Sequence, residues 1–304
     1  MLFGAQLVNY LCTWDDTLKT IDAIENGRWN SLWWSDHFLV PAPGSPVVNR
    51  EALEGWSLVT AAAGLTKRVD LGLLVSGNTY RNPGLLAKMS ATIDHISHGR
   101  YILGIGAAWY RQEHEAYGWR FPGLKERCDR LEEALDVIKL LFTAGEGTVS
   151  YKGKYYSLQD CPLSPQCVQT PHLPILVGGN GEKRTLKTCA KYADVCNIDF
   201  NNPGGPDVFK HKISVLHKHC EDIGRDPGEI KRTVLIPMRL EDNDEVAKRE
   251  LGRRPWIVCG NSNYCIDLIG QYIDVGAEEI MFSGIPTKSE IFERIDSDVL
   301  SAFA

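Results

Sequence analysis

"VDLGLLVSGNTYRNPGLLAKMSATIDHISHGRYILGIGAAWY", residues 69–110, carries one full period of an alternating rhythm. The apolar run Val69–Val75 reads as a buried strand that gives out at the small residues Ser76 and Gly77. Pro83 opens a helix expected over Pro83–Ile96, because proline at the first helical position sacrifices no intrahelical hydrogen bond. A second apolar run, Tyr101–Gly106, follows directly. Strands alternating with helices in this way predict an α/β fold built on parallel strands.

Working outward, the same rhythm covers the chain. Further strands are expected at Leu2–Leu7, Ser31–Ser35, Pro174–Gly178, Val195–Ile198, Thr233–Met238 and Glu279–Ser283. Helices are expected at Trp14–Asn26, Glu51–Ala63, Glu182–Tyr192, Pro206–Ile223, Ser262–Val275 and Lys288–Leu300. The clearest is "LKERCDRLEEALDVIKLLF", where Leu131, Leu135, Ile138 and Phe142 recur at three- and four-residue steps. Strands each followed by a helix, eight times over, are what a (β/α)8 TIM barrel requires. The competing open doubly wound sheet would carry a GxGxxG turn after its first strand, and this chain has none there. Thr148–His172, with its hairpin-like "KGK" and scattered prolines, breaks the alternation and reads as an insertion before strand five. Residues 1–304 are therefore expected to form a single barrel domain.

Composition narrows the function classes. The 304 residues carry a formal charge of −6, which supplies no basic surface and argues against nucleic-acid binding. No apolar run approaches the roughly 18 residues of a membrane span. The first residues, "MLFGAQLVNY", lack a basic segment ahead of the apolar ones and read as a strand of a mature protein. The nine cysteines fall at no metal-binding or CxxC spacing, so they are expected to be reduced thiols packed as small hydrophobes. A cytoplasmic enzyme is the expected setting, with no metal.

In such a barrel the site lies where the strands end at their C-terminal edge. The second strand ends "WWSDHF", residues 33–38, which puts Asp36 and His37 at that rim. A histidine there can give or take a proton near neutral pH. Asp36 either fixes its orientation, caps the following helix or contacts a ligand; the bland alternative is a turn with a structural histidine. After strand three, Ser76, Gly77 and Asn78 form either an ordinary turn or a loop open enough for a flat ring to approach the backbone. Strand four ends "LGIGAAWY", placing Trp109 and Tyr110 at the rim. Strand five ends "PILVGGNGEKRT", where Gly178, Gly179, Asn180 and Gly181 precede a helix and present backbone amides suited to a phosphate.

These blocks, "SLWWSDHF", residues 68–118, "ERCDRLEEALDVIKLL" and "LPILVGGNGEKRTLKTCAKYADVCN", resemble the luciferase-like monooxygenase superfamily, in its branch of coenzyme F420-dependent oxidoreductases. The resemblance covers the chain to about residue 200. It implies a flavin or deazaflavin held non-covalently in the barrel mouth. It also implies a non-prolyl cis peptide at Leu74–Val75, a ring-facing loop at Ser76–Asn78 and a phosphate turn at Gly178–Gly181. Asp36-His37 matches the Asp-His pair of the deazaflavin-dependent sugar-phosphate dehydrogenases. Those enzymes carry a glutamate after strand four, whereas this chain reads Ala107-Ala108-Trp109, which suggests an apolar substrate.

The expected activity is hydride transfer between F420 and a small organic substrate. His37 and Asp36 are the catalytic candidates, and Trp14, Trp34, Trp109 and Tyr110 the cavity walls. Lys183 and Arg184 are candidates for the path of an acidic cofactor tail. The alternative is an FMN-dependent monooxygenase supplied by a separate reductase. A cofactor-free binding protein on the same barrel is a third class, and a homodimer is compatible with each.

Overall fold

The computed structural model describes residues 1–42, 44–48, 50–199 and 204–304. In its first half run β1 (Leu2–Leu7), α1 (Trp14–Asn26), β2 (Ser31–Trp34), α2 (Gly55–Leu65), β3 (Asp70–Leu73), β4 (Ser76–Gly77), α3 (Pro83–Ser97), β5 (Tyr101–Gly106), α4 (Arg111–Ala116) and α5 (Leu124–Phe142). An antiparallel hairpin, β6 (Thr148–Lys152) and β7 (Ser157–Pro162), comes next. The second half runs β8 (Ile175–Gly178), α6 (Thr185–Tyr192), β9 (Val195–Asp199), α7 (Pro206–Asp222), β10 (Lys231–Leu240), α8 (Asp244–Arg253), β11 (Val258–Gly260), α9 (Ser262–Asp274), β12 (Glu279–Ser283) and α10 (Ser289–Asp298).

Eight parallel strands close on themselves. The order β1, β2, β3, β5, β8, β9, β10, β12 returns to β1, with Leu2 opposite Glu279 at the closure. This is the expected (β/α)8 barrel. Because successive strand side chains point to opposite faces, the paired tryptophans of β2 part company. Trp33 turns inward with Leu74, Leu176, Val195, Leu235 and Met281. Trp34 turns outward into the layer shared with the helices, beside Leu32, Leu71 and Leu73. A side chain at Gly72 would run into the Trp33 indole, so that glycine makes room for the inward ring. The buried Glu279 carboxylate bonds Ser31 and takes a 2.7 Å hydrogen bond from Lys231 Nζ, pairing the charge within the barrel.

Several boundaries differ from expectation for local reasons. The expected strand Val69–Val75 is cut after Leu73 by the bend that carries a cis Leu74–Val75 peptide, and resumes as β4. Helix α2 begins at Gly55 rather than Glu51, because the Glu54 carboxylate caps the amides of Trp56 and Ser57. Helix α6 begins at Thr185, after a turn over residues 182–184. Elements α4 and α8 lie in polar stretches with no apolar period to betray them, and β11 is only 3 residues long. The insertion is a separate two-stranded sheet followed by coil. That coil is tied to α3: Val168 N–H donates to Asp94 Oδ2 (2.7 Å) and His95 Nε2 meets the Gln166 carbonyl (2.8 Å). None of the nine cysteines is in a disulfide, and no helix among the described residues is long and apolar enough to cross a membrane.

Candidate active site

The floor of the mouth is the bend between β3 and β4. Gln6 Nε2 donates to the Leu74 carbonyl at 2.7 Å, holding the cis peptide from within the barrel. Val75 then projects between strands that carry glycine where it lies. A Cβ on Gly106 or on Gly178 would come to 2.8 Å from a Val75 methyl, closer than packed carbons tolerate. Ser76 and Gly77 pair with Ile105 and Gly106, and the Asn78 amide donates to the Gly106 carbonyl at 3.0 Å. Asn78 is 1% exposed. Its Nδ2 donates to the Tyr156 hydroxyl (3.3 Å), and its buried Oδ1 has no hydrogen-bond partner among the described residues.

Asp36 and His37 stand side by side in sequence and reach opposite ways. The Asp36 carboxylate accepts from Arg81 Nη1 (2.7 Å), Ser76 Oγ (3.0 Å) and the Gly77 amide (3.0 Å). Burial pushes its carboxyl up, against the pull of Arg81 and these donors. Arg81 also pairs with Glu54 (3.0 Å) and lies over the Trp56 ring. Asp36 thus ties the end of β2 to the loop at Ser76 and Gly77 and makes no bond to the His37 ring among the described residues. Of the roles left open for Asp36, orienting His37 is the one this geometry does not provide, because consecutive residues of an extended chain diverge.

A different carboxylate performs that service. Glu113, on α4 and wholly buried, meets His37 Nδ1 at 3.1 Å through Oε2 and accepts from the Tyr80 hydroxyl at 2.6 Å. Its Oε1 accepts from the amides of Phe38 (2.5 Å) and Leu39 (2.9 Å). Burial raises its pKa, but His37, Tyr80 and the Leu39 amide outweigh this and hold the carboxyl below its ordinary range. A carboxylate at Nδ1 fixes the proton there and leaves Nε2 as the free lone pair. Nε2 has no partner among the described residues, and the His37 side chain retains 15% exposure. Glu113 had no sequence signal beyond being an acid in the first turn of a short helix.

The walls are uneven. Trp109 is 55% exposed, stacks on Tyr110 with ring centroids 5.1 Å apart, and meets His37 edge-on at 5.5 Å. Tyr110 is buried, and its hydroxyl accepts from the Ala42 amide at 3.2 Å. Trp14 opens α1 and is partly exposed. Trp34 has no exposed surface and sits in the helix-facing core, so it offers nothing to a ligand in this conformation.

At the end of β8, Gly179 adopts φ +131°, a value that L side chains rarely take, and its amide donates to the Asn197 carbonyl at 3.0 Å. The amides of Asn180 and Gly181 have no acceptor among the described residues, and Asn180 Oδ1 is buried without a partner. A Cβ on Gly181 would lie 2.9 Å from Thr185 Oγ1. Arg184 does not face this turn: it pairs with Asp129 (2.8 Å) and Glu132 (2.9 Å) on α5. Lys183 is exposed. Lys212 and His211 both meet Glu182, at 2.6 and 3.1 Å. A cavity of about 440 Å³ runs from Asn180 along the start of α7 to Trp256 and Tyr272.

A flat heterocycle bearing N–H donors, linked to a phosphate, suits these features. Asn78 Oδ1 can accept from the ring, Val75 and its glycines give a smooth backing, and the Asn180 and Gly181 amides can meet the phosphate.

Comparisons with known proteins agree on the kind of molecule this resembles. The family model described as luciferase-like monooxygenase matches residues 3–279. An F420-dependent glucose-6-phosphate dehydrogenase of Amycolatopsis mediterranei is 28% identical, across 89% of this chain and 89% of its own. The pyrimidine monooxygenase RutA of Yersinia enterocolitica is 30% identical over 64% of this chain and 52% of its own. Among solved structures, an F420-dependent secondary alcohol dehydrogenase superposes with a TM-score of 0.84 at 18% identity, covering 99% of both chains. At that identity the likeness speaks for the fold alone.

Proposed function

This chain belongs to the luciferase-like monooxygenase family, and from that premise we propose that it transfers a hydride between coenzyme F420 and a small alcohol or carbonyl compound in the barrel mouth. The observation that carries the reading is His37, held at Nδ1 by Glu113 with Nε2 left open beside the exposed ring of Trp109. When bound, the deazaflavin supplies the hydride acceptor or donor. Every other duty falls to the chain. Asn78, backed by Val75, holds the ring, and the turn Gly178–Gly181 holds the phosphate. Nε2 takes the hydroxyl proton of an alcohol as its carbon is oxidised, and returns it when a carbonyl is reduced. Glu113 keeps the imidazole in the tautomer that allows this and stabilises the charged ring that results. Trp109, an exposed ring beside His37, favours a substrate with an apolar body.

His37→Asn tests the assignment. Turnover should fall by roughly 100-fold or more, the usual scale for acid–base help, while cofactor affinity stays near wild type. A loss confined to cofactor affinity would make His37 a ring contact and end its role in proton transfer. The similarity to a pyrimidine monooxygenase supports a second reading, oxygen chemistry on FMN reduced elsewhere. Oxygen uptake with reduced FMN separates the two.

A further inference from the structure

The insertion that interrupts the barrel rhythm reaches the cofactor floor. The tip of the β6–β7 hairpin is docked on α5: Glu133 Oε1 accepts from the amides of Tyr155 and Tyr156, each at 2.8 Å. Gly153 is the residue that lets this carboxylate in, since a side chain there would overlap it. Arg130 lies over the Tyr155 ring at 4.5 Å and is itself held by Glu126 at 2.9 Å. The effect of this clamp is to fix one hydroxyl, that of Tyr156, at 3.3 Å from Asn78 Nδ2.

Hydrogen-bond arithmetic gives that contact a purpose. Asn78 is 1% exposed, so each unmet donor or acceptor on its amide is costly. Through the Tyr156 contact the plane of the amide is held, with Nδ2 donating to the hydroxyl and the buried Oδ1 left without a donor. Tyr156 thereby holds the amide in an orientation in which Asn78 presents a carbonyl oxygen. That oxygen meets no donor among the described residues and sits on the loop proposed to face the ring.

Resting on the reading above, we infer that Tyr156 is a positioning residue for the cofactor. It aims the Asn78 carbonyl at an N–H of the ring, and the insertion is the element that carries it there.

The test is a double-mutant cycle on the full chain, with F420, FMN and phosphate-free riboflavin as probes, read by ring fluorescence. Tyr156→Phe keeps the ring and its packing and removes only the hydroxyl. It should weaken binding of the preferred cofactor about two- to tenfold, the usual worth of one hydrogen bond. Its effect should vanish in an Asn78→Ala background, and should persist with riboflavin if riboflavin binds. The absorption band of the bound ring should also shift in Tyr156→Phe, which a change in fold stability alone would not produce. Additive effects of the two substitutions, or unchanged affinity and band, would overturn the inference and leave the functional reading intact. If wild-type protein bound none of the three probes, both would fall together.

Discussion

Two oxygens of Glu113 serve four donors, and that concentration makes this residue the most exposed point of the account. It joins α4 to the His37–Leu39 segment and to Tyr80, so its removal should be felt in stability and in chemistry. Glu113→Gln replaces one acceptor oxygen by a donor facing His37 and Tyr80. A loss of about 2–4 kcal/mol is expected at neutral pH, from two charge-assisted hydrogen bonds. Because the folded carboxyl is held below its unfolded value, its stabilisation is present above the ordinary carboxylate range and is lost as pH falls through the folded pKa. The gap in melting temperature between wild type and Glu113→Gln should therefore narrow below about pH 4. A gap that stays constant or widens on acidification would mean the carboxylate is not held ionised. The residue scale also marks the limit of the sequence. His37 was legible because a strand ends just before it. Glu113 was not, because 76 positions separate the partners and α4 has no apolar face to announce it.

Strand ends, not single residues, shape the proposed ring site. The break of strand three depends on β5 and β8 presenting glycine opposite Val75, a relation of volume between three elements. Gly106→Ala should destabilise by about 1–3 kcal/mol, the cost of overpacking, and weaken cofactor binding. Val75→Ala in the same chain should restore part of both, because the clashing methyl is gone and the next contact is 3.6 Å away. Thermal melts and titrations of the two single variants and the double one check this; a double variant worse than Gly106→Ala would refute the size relation. The glycines were readable in "LGIGAAWY" and "PILVGGNG", and the family resemblance located the cis peptide correctly at Leu74–Val75. The bend itself left no trace in hydropathy, since Leu73, Leu74 and Val75 continue the apolar run. The hairpin was recognised only as an interruption, because its docking on α5 depends on Glu133 and Arg130, polar residues whose partners no periodicity reveals.

For the molecule as a whole, the alternating rhythm specified a parallel α/β sheet covered by helices, and the count of eight strands with no GxGxxG turn after the first chose the barrel over the open doubly wound sheet. What the rhythm could not specify is which ring the mouth takes, since deazaflavin and flavin share shape and a phosphate. The direct measurement is a titration with F420 and with FMN at low and high salt, followed by oxygen uptake in the presence of each reduced cofactor. F420 should bind at least tenfold tighter, a difference of about 1.4 kcal/mol, be oxidised and reduced with substrate in air, and draw no oxygen. Part of that preference should fade with salt, because Lys183 lies exposed beside the glycine turn and can attract an acidic tail. A salt-insensitive preference for FMN, with oxygen consumed when reduced flavin is supplied, would contradict it.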